Sequence, residues 1–315
     1  MQTLVIFALV GLLAQLVDGS LGMAYGVTST TLMLAAGTTP AAASATVHLA
    51  EIGTTLASGA AHWRLGNVDW RVVRRIALPG AIGAFAGATF LSGLSTAAAA
   101  PLMSVVLLVL GAYVLVRFTL WPLSRARLGT PVRRRLLVPL GLAGGFLDAT
   151  GGGGWGPVGT PALLAGGRIE PRKVIGSIDT SEFIVALAAS AGFFVGLGGA
   201  GINPLWAGGL LIGGVVAAPV AAWIVRRVPP RVLGSAVGGL IVLTNTRSLL
   251  EAVWPEAAPG ALTAVYVALA AAWAAAVAWS VRAHLAERAP EGAPAPGSPA
   301  DAAGGPGRAR AGAAE

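Results

Sequence analysis

Apolar residues run in blocks along this chain instead of alternating with polar ones. Blocks of roughly 17 to 25 residues recur at about 41–61, 76–93, 100–122, 174–196, 204–225 and 258–282, with one more ending near 255. Each is long enough to cross a hydrocarbon core of about 30 Å as a helix. The segments 2–36 and 136–167 have a different pattern. Each has an apolar stretch of about 16 residues, a glycine-rich break, and a second stretch of only about 12. The second stretch reaches about 18 Å as a helix, short of a crossing. Such an interrupted pair predicts a re-entrant hairpin whose unwound turn is buried in protein or lines a cavity.

The two interrupted segments repeat one another. Asp18-Gly19-Ser20-Leu21-Gly22-Met23-Ala24-Tyr25-Gly26 and Asp148-Ala149-Thr150-Gly151-Gly152-Gly153-Gly154-Trp155-Gly156 both place an acid ahead of a glycine run. At an offset of 130, Asp18 pairs with Asp148, Gly22 with Gly152, Gly26 with Gly156, Thr30 with Thr160, Gly83 with Gly213 and Arg117 with Arg247. A one-residue insertion shifts the offset to 131, which pairs Pro40 with Pro171 and Glu51 with Glu182. Small apolar matches arise by chance in such a composition. The acid and arginine pairs do not, because only 11% of residues are charged. The chain therefore divides into repeat one, 1–128; repeat two, 132–255; an extra membrane helix, 258–284; and a tail, 285–315. The tail has no apolar periodicity, which predicts disorder.

Charge sets the orientation. The net charge is +8, and the arginines cluster in short loops, where the positive-inside rule accounts for them without nucleic acid. Arg64, Arg71, Arg74 and Arg75 form one cluster, Arg125, Arg127, Arg133, Arg134 and Arg135 a second, and Arg226, Arg227 and Arg231 a third. Arg168, Arg172 and Lys173 precede the span 174–196. Placing all of these in the cytoplasm gives the two repeats opposite orientations. It also requires each opening segment to return to the side it entered from. The expected fold is all-α and polytopic: two inverted-topology repeats, each opening with a glycine-broken hairpin, then one more helix. Seven full crossings result, with the N-terminus outside and the C-terminus in the cytoplasm. The alternative, in which the opening segments cross fully, puts basic loops on both faces. The first apolar stretch lacks the basic flank and cleavage site of a signal peptide, and its repeat partner lies inside the chain, so it is expected to be retained.

Inverted repeats around broken helices are the pattern of a secondary transporter with its site at the breaks. Helix N-termini offer unpaired N–H groups and roughly half a positive charge to an anion. The candidate substrate-binding residues are Gly22, Gly26, Thr28, Ser29 and Thr30 in the first repeat. In the second they are Gly152, Gly153, Gly154, Trp155, Gly156 and Thr160. The glycines alternatively serve only close helix packing, and Trp155 either gates the cavity or packs against a neighbour. Arg117 and Arg247 can hold an oxyanion in two-pronged fashion or snorkel to the interface from near their span ends. His48, Glu51, Asp179 and Glu182 lie mid-span on one helical face in each repeat, suited to proton coupling or to a structural role. Asp18 and Asp148 are placed to cap the broken backbone.

Several classes are excluded or disfavoured. The chain has no cysteine and three histidines, so no metal centre or cofactor is expected. No Walker sequence and no HExxH or Ser/His arrangement occurs, which argues against direct ATP coupling and against an intramembrane enzyme. A passive anion channel would share the same glycine breaks.

The string Asp18-Gly19 through Gly26-Val27-Thr28-Ser29-Thr30, then Pro40, Ala50-Glu51, and the Gly151–Gly156 run ending in Thr160-Pro161 resemble the sulfite exporter TauE/SafE family, the toluene-sulfonate uptake permease group. The resemblance covers about residues 5–255. It implies a plasma-membrane transporter for a small sulfur-containing anion such as sulfite, thiosulfate or an organosulfonate, or for another small organic acid. Its partners are then that anion and the lipid bilayer; a homo-oligomer is compatible with it.

Overall fold

The computed structural model describes residues 2–21, 23, 25–121, 128–198, 203–224, 229–254, 256 and 259–288. Gly22, Arg125, Arg127, Arg226, Arg227, the side chain of Arg247 and the tail from 289 lie outside the described residues.

Eleven helices are described: α1 (Gln2–Leu21), α2 (Tyr25–Ala35), α3 (Pro40–Arg64), α4 (Trp70–Ser92), α5 (Thr96–Leu120), α6 (Arg134–Gly151), α7 (Trp155–Ala165), α8 (Pro171–Leu197), α9 (Pro204–Ile224), α10 (Pro230–Val253) and α11 (Pro259–Arg288). Among the described residues, five helices are long and apolar enough to cross a membrane: α4, α5, α8, α9 and α11. The chain is an all-α polytopic membrane protein. Its outside is apolar, with Leu78, Val195 and Val216 more than half exposed, whereas Gln15, Asp18, His48, Glu51 and Asp179 are buried. That distribution suits a hydrocarbon solvent around a polar interior.

Sequence accounts for the local boundaries. Pro40 and Pro171 each open a helix at its first turn, where the missing N–H has no intrahelical partner to lose. Thr39 caps α3 through the Ala42 N–H at 3.4 Å. α1 and α6 stop at the glycine-rich breaks, and α2 and α7 each run only 11 residues after them. At about 1.5 Å per residue, neither spans a hydrocarbon core. α11 runs to Arg288, a little beyond the boundary read from the sequence, because Leu285, Ala286, Glu287 and Arg288 are all good helix formers.

The long-range packing is two-fold in pattern. α1 lies along α9 as α6 lies along α4, and α3 packs on α8 as α5 packs on α10. The repeat pair Gly83 and Gly213 shows why. A Cβ at Gly83 would run into the backbone of Leu142 on α6, and one at Gly213 into the backbone of Ala8 on α1. Each glycine lets its helix meet the backbone of a helix from the other half, at places within one turn of equivalence. At one end, the start of α4 and two loops converge: Arg75 of α4 donates to the Val132 carbonyl (3.3 Å), and Arg168 donates to Thr130 Oγ1 (3.0 Å).

Candidate functional site

Both helix breaks come together at the centre. Gly152 has φ +70° and Gly153 φ +146°, backbone states that an L side chain rarely adopts. Thr30 Oγ1 donates to the Gly152 carbonyl at 2.6 Å. A Cβ at Gly26 would lie 2.6 Å from Gly153 Cα. The glycine runs of the two halves therefore touch, backbone to backbone, and only glycine permits it.

Each break is capped by its acid. Asp148 Oδ1 accepts from the N–H groups of Gly154 (2.9 Å) and Trp155 (3.1 Å). Asp18 Oδ1 accepts from the Tyr25 N–H at 3.4 Å. A carboxylate at a helix N-terminus is favoured by the unpaired donors and the helix dipole together. The two caps differ in strength, since one acid holds two donors closely and the other holds one at long range.

Side chains from α3 and α8 complete two trios at equivalent repeat positions. In one, His48 Nε2 lies 3.1 Å from Asp148 Oδ2 and 3.8 Å from Glu51 Oε2. His48 Nδ1 contacts the Ser44 carbonyl at 2.8 Å. Because that carbonyl can only accept, Nδ1 carries a hydrogen. The close Nε2–Oδ2 contact then requires a second proton, shared between imidazole and carboxyl. In the other trio, Asp18, Asp179 and Glu182 each bring an oxygen within 4.8 Å of the others. Ser58 Oγ donates to Asp179 Oδ2, and His62 Nε2 lies 3.4 Å from the same oxygen.

The other expected residues take these places. Ser29 is buried with its hydroxyl unpartnered, and both Glu51 oxygens lack hydrogen-bond partners. Glu51 Oε1 would be 2.9 Å from a Cβ at Gly26, so this carboxyl faces the meeting point of the breaks. Thr28 is half-buried and Thr160 is buried. Trp155 is fixed by Nε1–H bonds to the Ile178 carbonyl (3.1 Å) and Ser181 Oγ (3.2 Å), with its ring against Gly80. Arg117 is not brought to the breaks: its Nη1 donates to the Trp121 carbonyl at 3.0 Å, and its guanidinium lies 5.9 Å from the Trp121 ring centroid. Sequence reasoning missed Gln15, Ser44, Ser58 and His62. The signal for three of them was present as a difference between the repeats, where Gln15, Ser58 and His62 face Gly145, Ala189 and Phe193.

Comparison with known proteins follows the same lines. The family model described as "Sulfite exporter TauE/SafE" matches residues 7–248. The chain is 51% identical over 278 residues to "Probable membrane transporter protein YtnM" of Bacillus subtilis (strain 168), covering 88% of this chain and 92% of that protein. No solved structure matches it.

Proposed function

The chain belongs to the sulfite exporter TauE/SafE family of membrane transporters, and on that premise we propose that it carries a small sulfur-containing anion out of the cell across the plasma membrane. Sulfite, thiosulfate and small organosulfonates fit this class. The protein is a multi-pass transporter and not an enzyme.

The observation that carries the proposal is the meeting of the two glycine breaks at Gly26 and Gly153, each with an acid-capped helix N-terminus beside it. A carboxylate there stands where an oxyanion would bind, on backbone N–H groups at the positive end of a helix. The arriving anion takes the donors of Gly154 and Trp155 from Asp148. The carboxyl of Asp148 is then held by His48, with which it already shares a proton. Ser29 lies near the start of α2 to add a hydroxyl donor, Thr30 adds its own once it leaves the Gly152 carbonyl, and Thr160 does so on α7. Parting of the Gly26–Gly153 contact opens the site, and its re-formation closes it. The extra negative charge of the anion favours outward movement, by about 2.3 kcal/mol per 100 mV of interior-negative potential.

The two-fold helix packing and the shared glycine pair support an inverted repeat, 1–128 against 132–255. The short α2 and α7 support two re-entrant hairpins. With α3 and α10 added on length, seven helices cross. The convergence of Arg75 at the start of α4 with the loops bearing Val132 and Arg168 on one face supports a cytoplasmic placement for that face, with the N-terminus outside.

Flux in proteoliposomes tests the reading. Purified protein is reconstituted, loaded in turn with sulfite, thiosulfate, a small organosulfonate and an organic acid, and followed under varied pH and membrane potential. Saturable flux of one sulfur anion is expected. Non-saturating flux would instead make the protein a channel. Flux of the organic acid alone would move the substrate outside the sulfur anions.

A further inference from the structure

We propose that Asp18, Asp179 and Glu182, with the buried amide of Gln15 nearby, form a binding site for a sodium-sized monovalent cation. The site deepens the carrier reading given above, because it names a coupling ion for the same central region.

The two trios occupy equivalent repeat positions and differ in charge. Asp18 corresponds to Asp148, Glu182 to Glu51, and Asp179 to His48. In one trio an imidazole lies beside both acids, 3.1 Å from Asp148 and 3.8 Å from Glu51. In the other, a third carboxyl takes the imidazole's position, and an oxygen from each of the three acids lies within 4.8 Å of the other two. His62 does not restore the balance. Its Nε2–H points to the Gly19 carbonyl (3.0 Å) and its Nδ1 accepts from the Asn67 amide (3.2 Å), the partnering of a neutral ring. Even a charged His62 would leave this trio one negative charge ahead of its counterpart. Buried carboxylates crowded together are relieved by a shared proton or by a positive charge between them. One trio carries its own in His48. For the other, the positive charge comes from solution.

A second set of positions points to the same ligand. Four positions around this trio change together relative to the other repeat. Gln15, Ser58, Asp179 and His62 stand where Gly145, Ala189, His48 and Phe193 stand in the second half. Gln15 is fully buried, and both atoms of its amide lack a partner. A Cβ at Gly19 would lie 3.4 Å from both Gln15 Nε2 and Ser58 Oγ. The amide and the hydroxyl that donates to Asp179 therefore both flank Gly19, one residue from Asp18. Asp18 Oδ2 and Asp179 Oδ1 are likewise buried without partners. Carboxylate oxygens from α1 and α8 make a hard, all-oxygen donor set, which suits a hard cation. With His62 neutral this trio stands two negative charges ahead of its counterpart, so one monovalent cation together with one carboxyl proton brings the two to the same total.

The test uses the full-length protein purified in detergent, with sodium chloride titrated against choline chloride at fixed ionic strength and pH. Thermal unfolding and calorimetric binding are both followed. A saturable rise in melting temperature with sodium is expected, matched by calorimetric heat. Asp179→His copies the residue of the other repeat and is expected to remain folded and lose the sodium response. Glu182→Gln serves as the second variant, expected to weaken it. No sodium response in the unaltered protein overturns the proposal, and so does a response retained in full by both variants. A response to pH alone, without sodium, shows that protons neutralise the trio and likewise overturns it. Because binding is read without transport, the two readings fail separately. Sodium binding without sulfur-anion flux removes the substrate reading only, and flux without sodium binding removes the cation site only.

Discussion

Asp148 offers the sharpest test of how the second break is held. Its Oδ1 takes two backbone N–H groups at 2.9 and 3.1 Å, and its Oδ2 faces His48 at 3.1 Å. Hydrogen bonds to a charged group contribute about 1.5–3 kcal/mol each. Removing one member of a buried ion pair costs roughly 3–5 kcal/mol, because its partner is left uncompensated. These contributions overlap, so Asp148→Ala is expected to cost about 4–6 kcal/mol. Asp148→Asn keeps an oxygen for the N–H groups and loses only the shared proton, for a cost of about 1–3 kcal/mol on the same scale. Asp18 is the internal control. It holds one N–H at 3.4 Å and lies among other carboxyls. In sodium-free buffer, Asp18→Asn is therefore expected to be neutral or stabilising, as like-charge crowding is relieved. Thermal unfolding in detergent reads the difference. At roughly 2 °C per kcal/mol for a chain of this size, Asp148→Ala melts about 10 °C below the unaltered protein. Equal melting of Asp148→Ala and Asp18→Ala in that buffer would refute the asymmetry of the caps.

Three further outcomes are expected. Glu51→Gln flattens any pH dependence of anion flux in proteoliposomes, since both oxygens of this carboxyl lack hydrogen-bond partners where the breaks meet; an unchanged profile leaves Glu51 a structural role. Arg117→Gln leaves the half-saturating anion concentration unaltered, because the guanidinium is held by Trp121; a marked rise in that concentration would put the arginine in the substrate path. Gly83→Ala and Gly213→Ala each lower the melting temperature, at a cost of about 1–3 kcal/mol from forcing two helices apart, and the two act alike if the packing is two-fold. A loss for one and not the other would break the equivalence of the halves.

Hydrophobic run length determined the membrane class and most helices, because lipid leaves a spanning backbone only itself to hydrogen-bond with. The breaks were equally legible. Acids and consecutive glycines are costly inside apolar helices, so their recurrence at a fixed offset marked residues 18–26 and 148–156 before any coordinates. The Pro40 and Pro171 starts followed from the same local rules. What depended on tertiary structure was which side chains meet. Asp148 and His48 are 100 positions apart, and Asp179 and Ser58 are 121 apart. Their contacts exist only because α3 packs on both α6 and α8 beside the breaks. Sequence placed His48 and Asp179 at equivalent positions. It gave no means of knowing that each would lie against the other hairpin's or its own half's acid, nor that the trios would differ in charge. Nor did local rules distinguish Arg117 in the substrate path from Arg117 on Trp121, since both leave an arginine one turn from a helix end. Periodicity and rare residues are properties of the chain. Charge balance and hydrogen-bond partnering belong to the packed molecule, where burial makes each unpaired group costly.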